Sequence, residues 1–159
     1  MIKLLSITAL FSLFLVSCSK NNTAPEAPII SLLGISPNTV RSGMIEDTLI
    51  ISLKISDQNA DLGNDENGAR PDVILVDSRN TGSPDDTLRL YLPPIPNEIK
   101  DASKGISGTA NIILSAGLYL FQRDDHPDGD TLHFDIHVLD RAGNKSNHVV
   151  TPDIYIKPE

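Results

Sequence analysis

The sequence predicts an all-β fold, a single antiparallel sandwich of about seven strands preceded by a helical leader and a disordered linker. Three observations indicate this class. No window beyond residue 28 carries a sustained apolar stripe with the 3.6-residue period of a helix. Short apolar segments alternate with polar residues instead, and clusters of Gly, Pro, Asn and Asp separate them. The length of 159 residues suits one domain and a targeting segment, because domains most often hold roughly 100–150 residues.

The strands are predicted segment by segment. Apolar and polar residues alternate most clearly over Thr131–Leu139, a pattern that buries one face of a strand and exposes the other. Leu118–Phe121 either extends the preceding strand or forms an extra one. Seven strands in about 130 residues resemble the immunoglobulin-like and fibronectin III-like sandwiches. The other six predicted strands are Ile29–Ile35, Leu49–Ile55, Val73–Val76, Leu88–Leu92, Ala110–Leu114 and Val149–Ile156.

Composition excludes several classes of partner and scaffold. The 21 Asp and Glu residues outnumber the 13 Lys and Arg, which gives a formal net charge of −8. Nucleic acid and anionic lipid headgroups repel such a chain, so we expect no nucleic-acid partner. The carboxylate excess fits a solvated surface or cation binding equally well. A single cysteine permits no intrachain disulfide, so packing or metal must stabilise the fold.

The first eighteen residues have the pattern of an export signal. Lys3 supplies a basic start, and residues 4–16 form an apolar run without a charge. The run is shorter than the roughly 20 residues that span a bilayer, so it predicts the apolar region of a signal peptide. It ends in the sequence LVSC, at Leu15 to Cys18, which resembles the lipobox of bacterial lipoproteins. The alternative is an ordinary secretory peptide cleaved elsewhere.

The lipoprotein resemblance implies a membrane anchor at Cys18. Its sulfur would carry a diacylglycerol, the signal peptide of residues 1–17 would be removed, and an acyl chain such as palmitate would modify the new amine. Two or three acyl chains hold a domain stably on a membrane. Ser19, rather than aspartate, follows the cysteine, which in this family favours the outer membrane of a Gram-negative cell. Residues 18–28 then form a flexible linker, and residues 29–159 form the sandwich domain.

An acidic segment, DQNADLG, begins at Asp57 directly after the second predicted strand. Oxygen-bearing side chains recur at Asp57, Asn59 and Asp61, a spacing with which a tight turn surrounds a hard cation. An EF-hand is excluded because Leu62 and Gly68 stand where that motif needs glycine and glutamate. The segment resembles instead the acidic loops of immunoglobulin-like and cadherin-like domains in bacterial surface proteins.

A second loop, DRAGNKSN at residues 140–147, resembles the turn that closes the last hairpin of the same domains. Immunoglobulin topology places the loop after the second strand and the loop before the last strand at the same end. We therefore expect a calcium site there, with no other cofactor. The alternative is that these residues are solvated turn formers, the usual role of Asp and Asn in loops. The predicted ligands are Asp57, Asn59, Asp61, Asp140 and Asn144.

The remaining clusters predict little chemistry. Residues 124–130 hold four aspartates, which indicate a turn first and a weak cation site second, at the opposite end with Asp85 and Asp86. His133 and His137 lie four residues apart, about 13 Å along a strand, which favours exposed histidines over shared zinc ligands. Motifs for a nucleophile elbow, a phosphate-binding loop or a metalloprotease helix do not occur. We expect no enzyme and no catalytic residues.

These expectations converge on a non-catalytic, lipid-anchored module of the cell envelope that binds a partner or has a structural role. Its partners would be the membrane, through the anchor, and an envelope protein or a glycan. We expect loops distal to the membrane to contact the partner, while calcium makes the 57–66 loop rigid. The alternatives are an accessory subunit of an outer-membrane assembly and a carbohydrate-capture lipoprotein. For carbohydrate capture the available aromatic groups are Tyr91, Tyr119 and Tyr155, with four phenylalanines of which two lie in the signal peptide.

Overall fold

The computed structural model describes residues 27–63, 70–79, 82, 86–99 and 104–159. The leader, Cys18 and most of the predicted linker lie outside this part of the chain, as do Asp65, Glu66 and Asp85. Within the described residues there are ten strands, one short α-helix, α1 (Ala116–Tyr119), and a 3-10 turn at Asn97–Ile99. The strands are β1 (Ile29–Ser36), β2 (Thr39–Arg41), β3 (Thr48–Asp57), β4 (Val73–Asp77), β5 (Thr87–Leu90), β6 (Ile106–Ser115), β7 (Asp130–Leu132), β8 (Phe134–Val138), β9 (Val149–Val150) and β10 (Ile154–Lys157).

The strands form two layers, which confirms the predicted β-sandwich. One layer is the antiparallel sheet β1-β3-β6. The other contains β5-β4-β8-β9 and β2-β10-β7. These two groups are continuous along the chain, because only His133 separates β7 from β8, and residues 151–153 separate β9 from β10. The first strand thus belongs to one layer and the short β2 to the other, as in immunoglobulin-like sandwiches.

The core lies between the two layers. Along β3 the predicted alternation is exact in the structure, with every second side chain buried and the others facing outward. The same pattern holds in β8, where Phe134 is the largest of the fully buried side chains. The buried apolar residues of β3 and β8 are Leu49, Ile51, Leu53, Ile55, Phe134, Ile136 and Val138. Burial of these apolar surfaces stabilises the packing of one layer on the other.

The number of strands exceeds the prediction for physical reasons. The segment Thr131–Leu139 is divided into β7 and β8 at His133. At this point backbone N–H groups donate to side-chain hydroxyls instead of to the backbone of a neighbouring strand. The backbone N–H of His133 donates to Ser78 Oγ at 2.9 Å, and that of Phe134 donates to Thr151 Oγ1 at 3.0 Å. The last predicted strand is divided at Pro152, which has no N–H to donate. The short β2 was not predicted, and it pairs with β10 in parallel, so the sandwich is not purely antiparallel.

Leu118–Phe121 is not a strand, contrary to both options in the prediction. It begins inside α1, and the N–H of Leu120 donates to the carbonyl of Ala116 at 3.1 Å. One helical turn buries both of these residues while Leu118 stays 66% exposed, which strand alternation would not allow. The helical segments that the structure describes are all unable to cross a lipid bilayer.

A clamp made by Asn147 joins β1 to the other layer. The backbone N–H of Ile30 donates to Asn147 Oδ1 at 2.8 Å, and Asn147 Nδ2 donates to the Ile30 carbonyl at 2.9 Å. The same side chain therefore satisfies both backbone groups of Ile30 on the side facing away from β3. The start of β1 is thus held by hydrogen bonds from both layers.

The second acidic cluster lies at the end of the sandwich away from Asp57, where Asp130 is held by arginines. The Asp130 side chain is 1% exposed and accepts hydrogen bonds from Arg79 at 2.7 Å and from Arg123 at 3.1 Å. Asp77 binds the same Arg79 guanidinium at 2.6 Å. The weak cation site considered for residues 124–130 therefore cannot use Asp130, the most buried carboxylate of the cluster, because arginines already neutralise it.

Candidate functional site

The structure brings the two predicted loops together at one end of the sandwich. β3 ends at Asp57, and the chain turns through residues 58–63, beside the loop between β8 and β9. The N–H of Arg141 donates to the carbonyl of Asp61 at 3.0 Å, and the Arg141 guanidinium Nε donates to the same oxygen at 3.0 Å. Arg141 therefore ties the second loop to the first through main-chain oxygens.

Two aspartates of the first loop carry buried oxygens to which no described residue donates a hydrogen bond. Asp57 is 2% exposed, and its Oδ2 accepts the backbone N–H of Asp61 at 2.9 Å. Its Oδ1 is buried and has no hydrogen-bond partner in the described part of the chain, and the same is true of Asp61 Oδ1. Buried carboxylate oxygens are normally hydrogen-bonded or bound to a cation, because desolvation without compensation is costly.

The backbone between these aspartates is strained. Ala60 has a φ of 57°, a left-handed conformation that residues with a Cβ seldom adopt, and its side chain is buried. This conformation folds the chain back so that the N–H of Asp61 reaches Asp57 Oδ2. Strain of this kind persists only where the surroundings enforce it, and it is common at sites of function.

The electrostatics of the loop disfavour two free carboxylates. Burial raises the pKa of Asp57, and the hydrogen bond from the Asp61 N–H lowers it. The negative charges of Asp61 and Asp140 raise it further, as does a hydrogen bond between the Asp57 and Asp61 side chains, which one carboxyl can donate only when it is protonated. Like charges in a shared low-dielectric site are relieved when one carboxyl keeps a proton or when a cation binds. The pair of Asp57 and Asp61 can therefore hold either a proton or a metal ion.

Asp140 and Asn144 have a clear structural role in the second loop. Asp140 is 1% exposed, and its Oδ1 and Oδ2 accept the backbone N–H and the side-chain N–H of Asn144 at 2.7 and 2.8 Å. The Asp140 N–H donates in turn to the Asn144 carbonyl at 3.1 Å. These bonds match the turn-forming alternative. Asp140 still adds negative charge to the site, and Arg70 Nη2 binds its carbonyl rather than its carboxylate.

Of the five predicted ligands, the structure makes Asp57 and Asp61 the centre of the site. Asn59 is exposed on the turn between them. Asp140 and Asn144 form the adjoining wall. Residues 64–66 of the predicted loop lie outside the described part of the chain.

The linker reaches the sandwich at this same end. Ile29, the first residue of β1, pairs with Ser56, the neighbour of Asp57. The acidic loop therefore lies beside the point where residues 18–28 join the domain. The loops distal to the linker therefore lie at the other end of the sandwich, because β1 starts at the end where β3 finishes.

A second cluster, formed by Asp135, His137 and His148, was not predicted from the sequence. His137 and His148 stack with ring centroids 4.8 Å apart and an interplanar angle of 29°. His148 Nδ1 lies 2.5 Å from Asp135 Oδ1. The signal that could have found the cluster is the hairpin around residues 140–147, because strands that pair across such a turn bring residues before and after it side by side.

His133 is separate from this cluster. Its Nδ1 lies 3.6 Å from Asp153 Oδ1, and its side chain is 45% exposed. The interpretation of His133 as an exposed histidine therefore agrees with its surroundings, whereas His137 is half-buried.

No family model, no curated protein and no solved structure matches the chain. Its function is therefore inferred from the two side-chain clusters, the exposed surfaces and the sequence motifs.

Proposed function

We propose that the protein is a non-catalytic, lipid-anchored β-sandwich of the bacterial outer membrane that binds an envelope partner and is stabilised by calcium at its acidic end. The observation that carries the proposal is the pair of Asp57 and Asp61, each with a buried Oδ1 that has no hydrogen-bond partner among the described residues. The lipobox at Cys18 supports the anchor.

Calcium suits the acidic pair better than a softer metal. Calcium takes oxygen ligands only, from carboxylates, carbonyls and water, and it tolerates irregular geometry. Arg141 and Arg70, which lie beside these carboxylates, donate to main-chain oxygens, those of Asp61, Ala60, Asp140 and Arg141. A bound calcium ion would satisfy the orphan oxygens and remove the repulsion between Asp57 and Asp61.

Burial supports a structural role for the ion. A carboxyl group that is 2% exposed, as in Asp57, leaves no room for a substrate to reach it. Calcium held there would fix the first loop against Arg141 and the second loop, and thereby fix the surface that both loops present near the linker.

Calcium is expected to stabilise the metal-stripped full chain in detergent. Binding to the folded state alone adds about 2.7 kcal/mol to the free energy of unfolding when calcium exceeds its dissociation constant a hundredfold. Differential scanning calorimetry should show the rise in melting temperature, and Asp57→Asn should abolish it. Asp128→Asn removes the same charge from an exposed loop and should keep the full response. A wild-type protein that gains nothing from millimolar calcium would refute the calcium site.

The pH dependence of the metal-free protein gives a second readout of the same pair. The pKa of Asp57 is higher in the folded state than in the unfolded state, so the folded state binds more protons at pH values between the two. The free energy of unfolding therefore falls as the pH rises from the unfolded pKa through the folded pKa. Urea unfolding at several pH values should show this loss in the wild type and not in Asp57→Asn. Because Asp72 is also buried with a raised pKa, the difference between the two proteins is the relevant quantity.

An apolar surface at the opposite end favours a protein partner. The turn before β3 and the segment around α1 expose large apolar side chains there, and such clusters on a soluble domain commonly mark contact sites. The exposed apolar residues at this end are Ile45, Leu118, Tyr119 and Phe121.

The three tyrosines considered for glycan binding come from three separate elements: the loop after β5, α1 and β10.

A photo-crosslinking residue at position 118 is expected to capture one envelope protein in intact cells. The same residue at position 150 is a matched control, because Val150 is 54% exposed on β9, away from α1. A discrete crosslinked band at position 118 alone would support an accessory subunit. Equal labelling at both positions, or none, would count against a partner at this surface, and binding on a glycan array would favour carbohydrate capture instead.

A further inference from the structure

We infer that Asp135, His137 and His148 form a binding site for a divalent transition-metal ion of the zinc, copper and nickel class. The site lies on the outer face of the second layer, on β8 and the segment that enters β9. It is independent of the acidic calcium loop and of the proposed function.

Strand pairing brings the three side chains together. β8 and β9 are antiparallel, with Asp135 opposite Val150 and Ile136 opposite Val149. The next step of this register places His137 beside His148. One ligand atom from each of Asp135, His137 and His148 lies within 4.8 Å of the others. Among the residues that the structure describes, no other three His, Cys, Asp or Glu side chains converge in this way.

The donor set selects the class of metal. Imidazole nitrogen suits zinc, copper and nickel, and a carboxylate oxygen completes a common three-ligand set for zinc. Nitrogen and oxygen ligands of a tetrahedral zinc ion at about 2.1 Å lie roughly 3.4 Å apart. The ligand atoms, which now lie within 4.8 Å of one another, can reach this spacing by side-chain rotation alone, without movement of the strands. The side chains of His148 and Asp135 are free to rotate because each is 45% exposed. The exposed face leaves the fourth position to water.

A separate observation at His137 points to a missing ligand. Its Nδ1 is buried and has no hydrogen-bond partner among the residues that the structure describes. On the side away from β9, His137 pairs with Ile74 of β4, so the neighbouring strand offers it no polar group at that position. Burial lowers the pKa of His137 to about 4, with further lowering by Lys145 and His148 against the opposing effect of Asp135. The ring is therefore neutral at pH 7, which is the form that binds metal.

The hydrogen bond between Asp135 and His148 supports the same assignment. Carboxylates that bind one nitrogen of a histidine fix the orientation of the ring and raise its basicity toward a metal on the other nitrogen. Asp135 can therefore act as the third ligand or as the group that orients His148. Both roles make the two imidazoles the essential part of the site.

The test is a zinc titration of the full chain in detergent, without a polyhistidine tag. Isothermal titration calorimetry should show one equivalent bound by the wild type, and binding at least about tenfold weaker in His148→Asn and in His137→Asn. His133→Asn, which alters an exposed histidine on the same face, should bind as the wild type does. Asp57→Asn should also keep zinc binding, which separates this site from the calcium loop.

Copper offers a spectroscopic check that does not depend on affinity. The electron paramagnetic resonance spectrum of the Cu²⁺ complex should show coupling to two imidazole nitrogens in the wild type and to one in His148→Asn. Asp135→Asn should keep both nitrogens, and circular dichroism verifies that each variant is folded. The inference is overturned if the wild type binds no zinc at millimolar concentration, or if His148→Asn and His133→Asn bind it equally.

Discussion

Replacing Arg79 with methionine is expected to lower the free energy of unfolding by about 3–5 kcal/mol, because it removes the arginine bound to Asp77 and one of the two arginines bound to the buried Asp130. The Arg79 side chain is 13% exposed and binds two carboxylates, those of Asp77 and of the almost fully buried Asp130. It also donates to the carbonyl of Phe121 at 2.9 Å. Equilibrium unfolding in urea, followed by circular dichroism, measures the loss.

The exposed ion pair of Arg41 and Asp47 supplies the matched control. It has the same bidentate geometry, but the Arg41 side chain is 50% exposed, so solvent screens the interaction. Arg41→Met should cost much less than Arg79→Met. Equal losses in the two variants would show that burial of Asp130 does not govern the effect.

Acid titration should distinguish the same two arginine variants. Burial alone would raise the pKa of Asp130, but hydrogen bonds from Arg123 and Arg79 outweigh it and hold the pKa well below the usual range. The folded pKa is thus depressed, so the pair stabilises the protein above the unfolded pKa of about 4, and this contribution is lost as pH falls further. Arg79→Met should reduce the loss of unfolding free energy on acidification. Arg41→Met should keep the share of that loss that comes from protonation of Asp130.

Replacing Cys18 with serine is expected to abolish both acylation and membrane attachment. The apolar run before it is too short to span a bilayer stably, and each buried methylene of an acyl chain contributes roughly 0.8 kcal/mol to anchoring. Metabolic labelling with an alkyne analogue of palmitate should mark the wild type only. Cell fractionation should then find the serine variant outside the membrane pellet.

Ser17→Ala is the control for the Cys18 variant, because alanine is also a small residue at that position of the lipobox. It should be labelled and sedimented as the wild type is. Acyl labelling that persists in Cys18→Ser would contradict the proposed lipoprotein anchor and would not bear on the two proposed metal sites of the sandwich.

The alternation of apolar and polar residues predicted the strands whose structure depends only on which face is buried. The alternation along β3 and β8 identifies each buried side chain, since one face of each strand meets the core. The same alternation could not predict which residues contact each other across long distances in the sequence. β2 has only three residues and pairs with β10 at the other end of the chain, and Asp130 is neutralised by an arginine 51 residues away.

The same distinction applies to the candidate sites. Spacing identified Asp57 and Asp61, but not the left-handed backbone at Ala60 that folds them together and leaves Asn59 exposed. His148 was missed because its neighbours lie across a hairpin. Ligands that a strand pairing assembles are visible only once the register of that pairing is known.

The double attachment of β1 has a mechanical consequence. A pull on a membrane-tethered linker enters the domain at Ile29 and runs along β1, parallel to the strand axis. The bonds between β1 and β3 are then loaded in shear together rather than broken one after another, and Asn147 passes part of the load from Ile30 to the second layer. Tension transmitted through the proposed anchor at Cys18 would therefore act on all of these bonds at once.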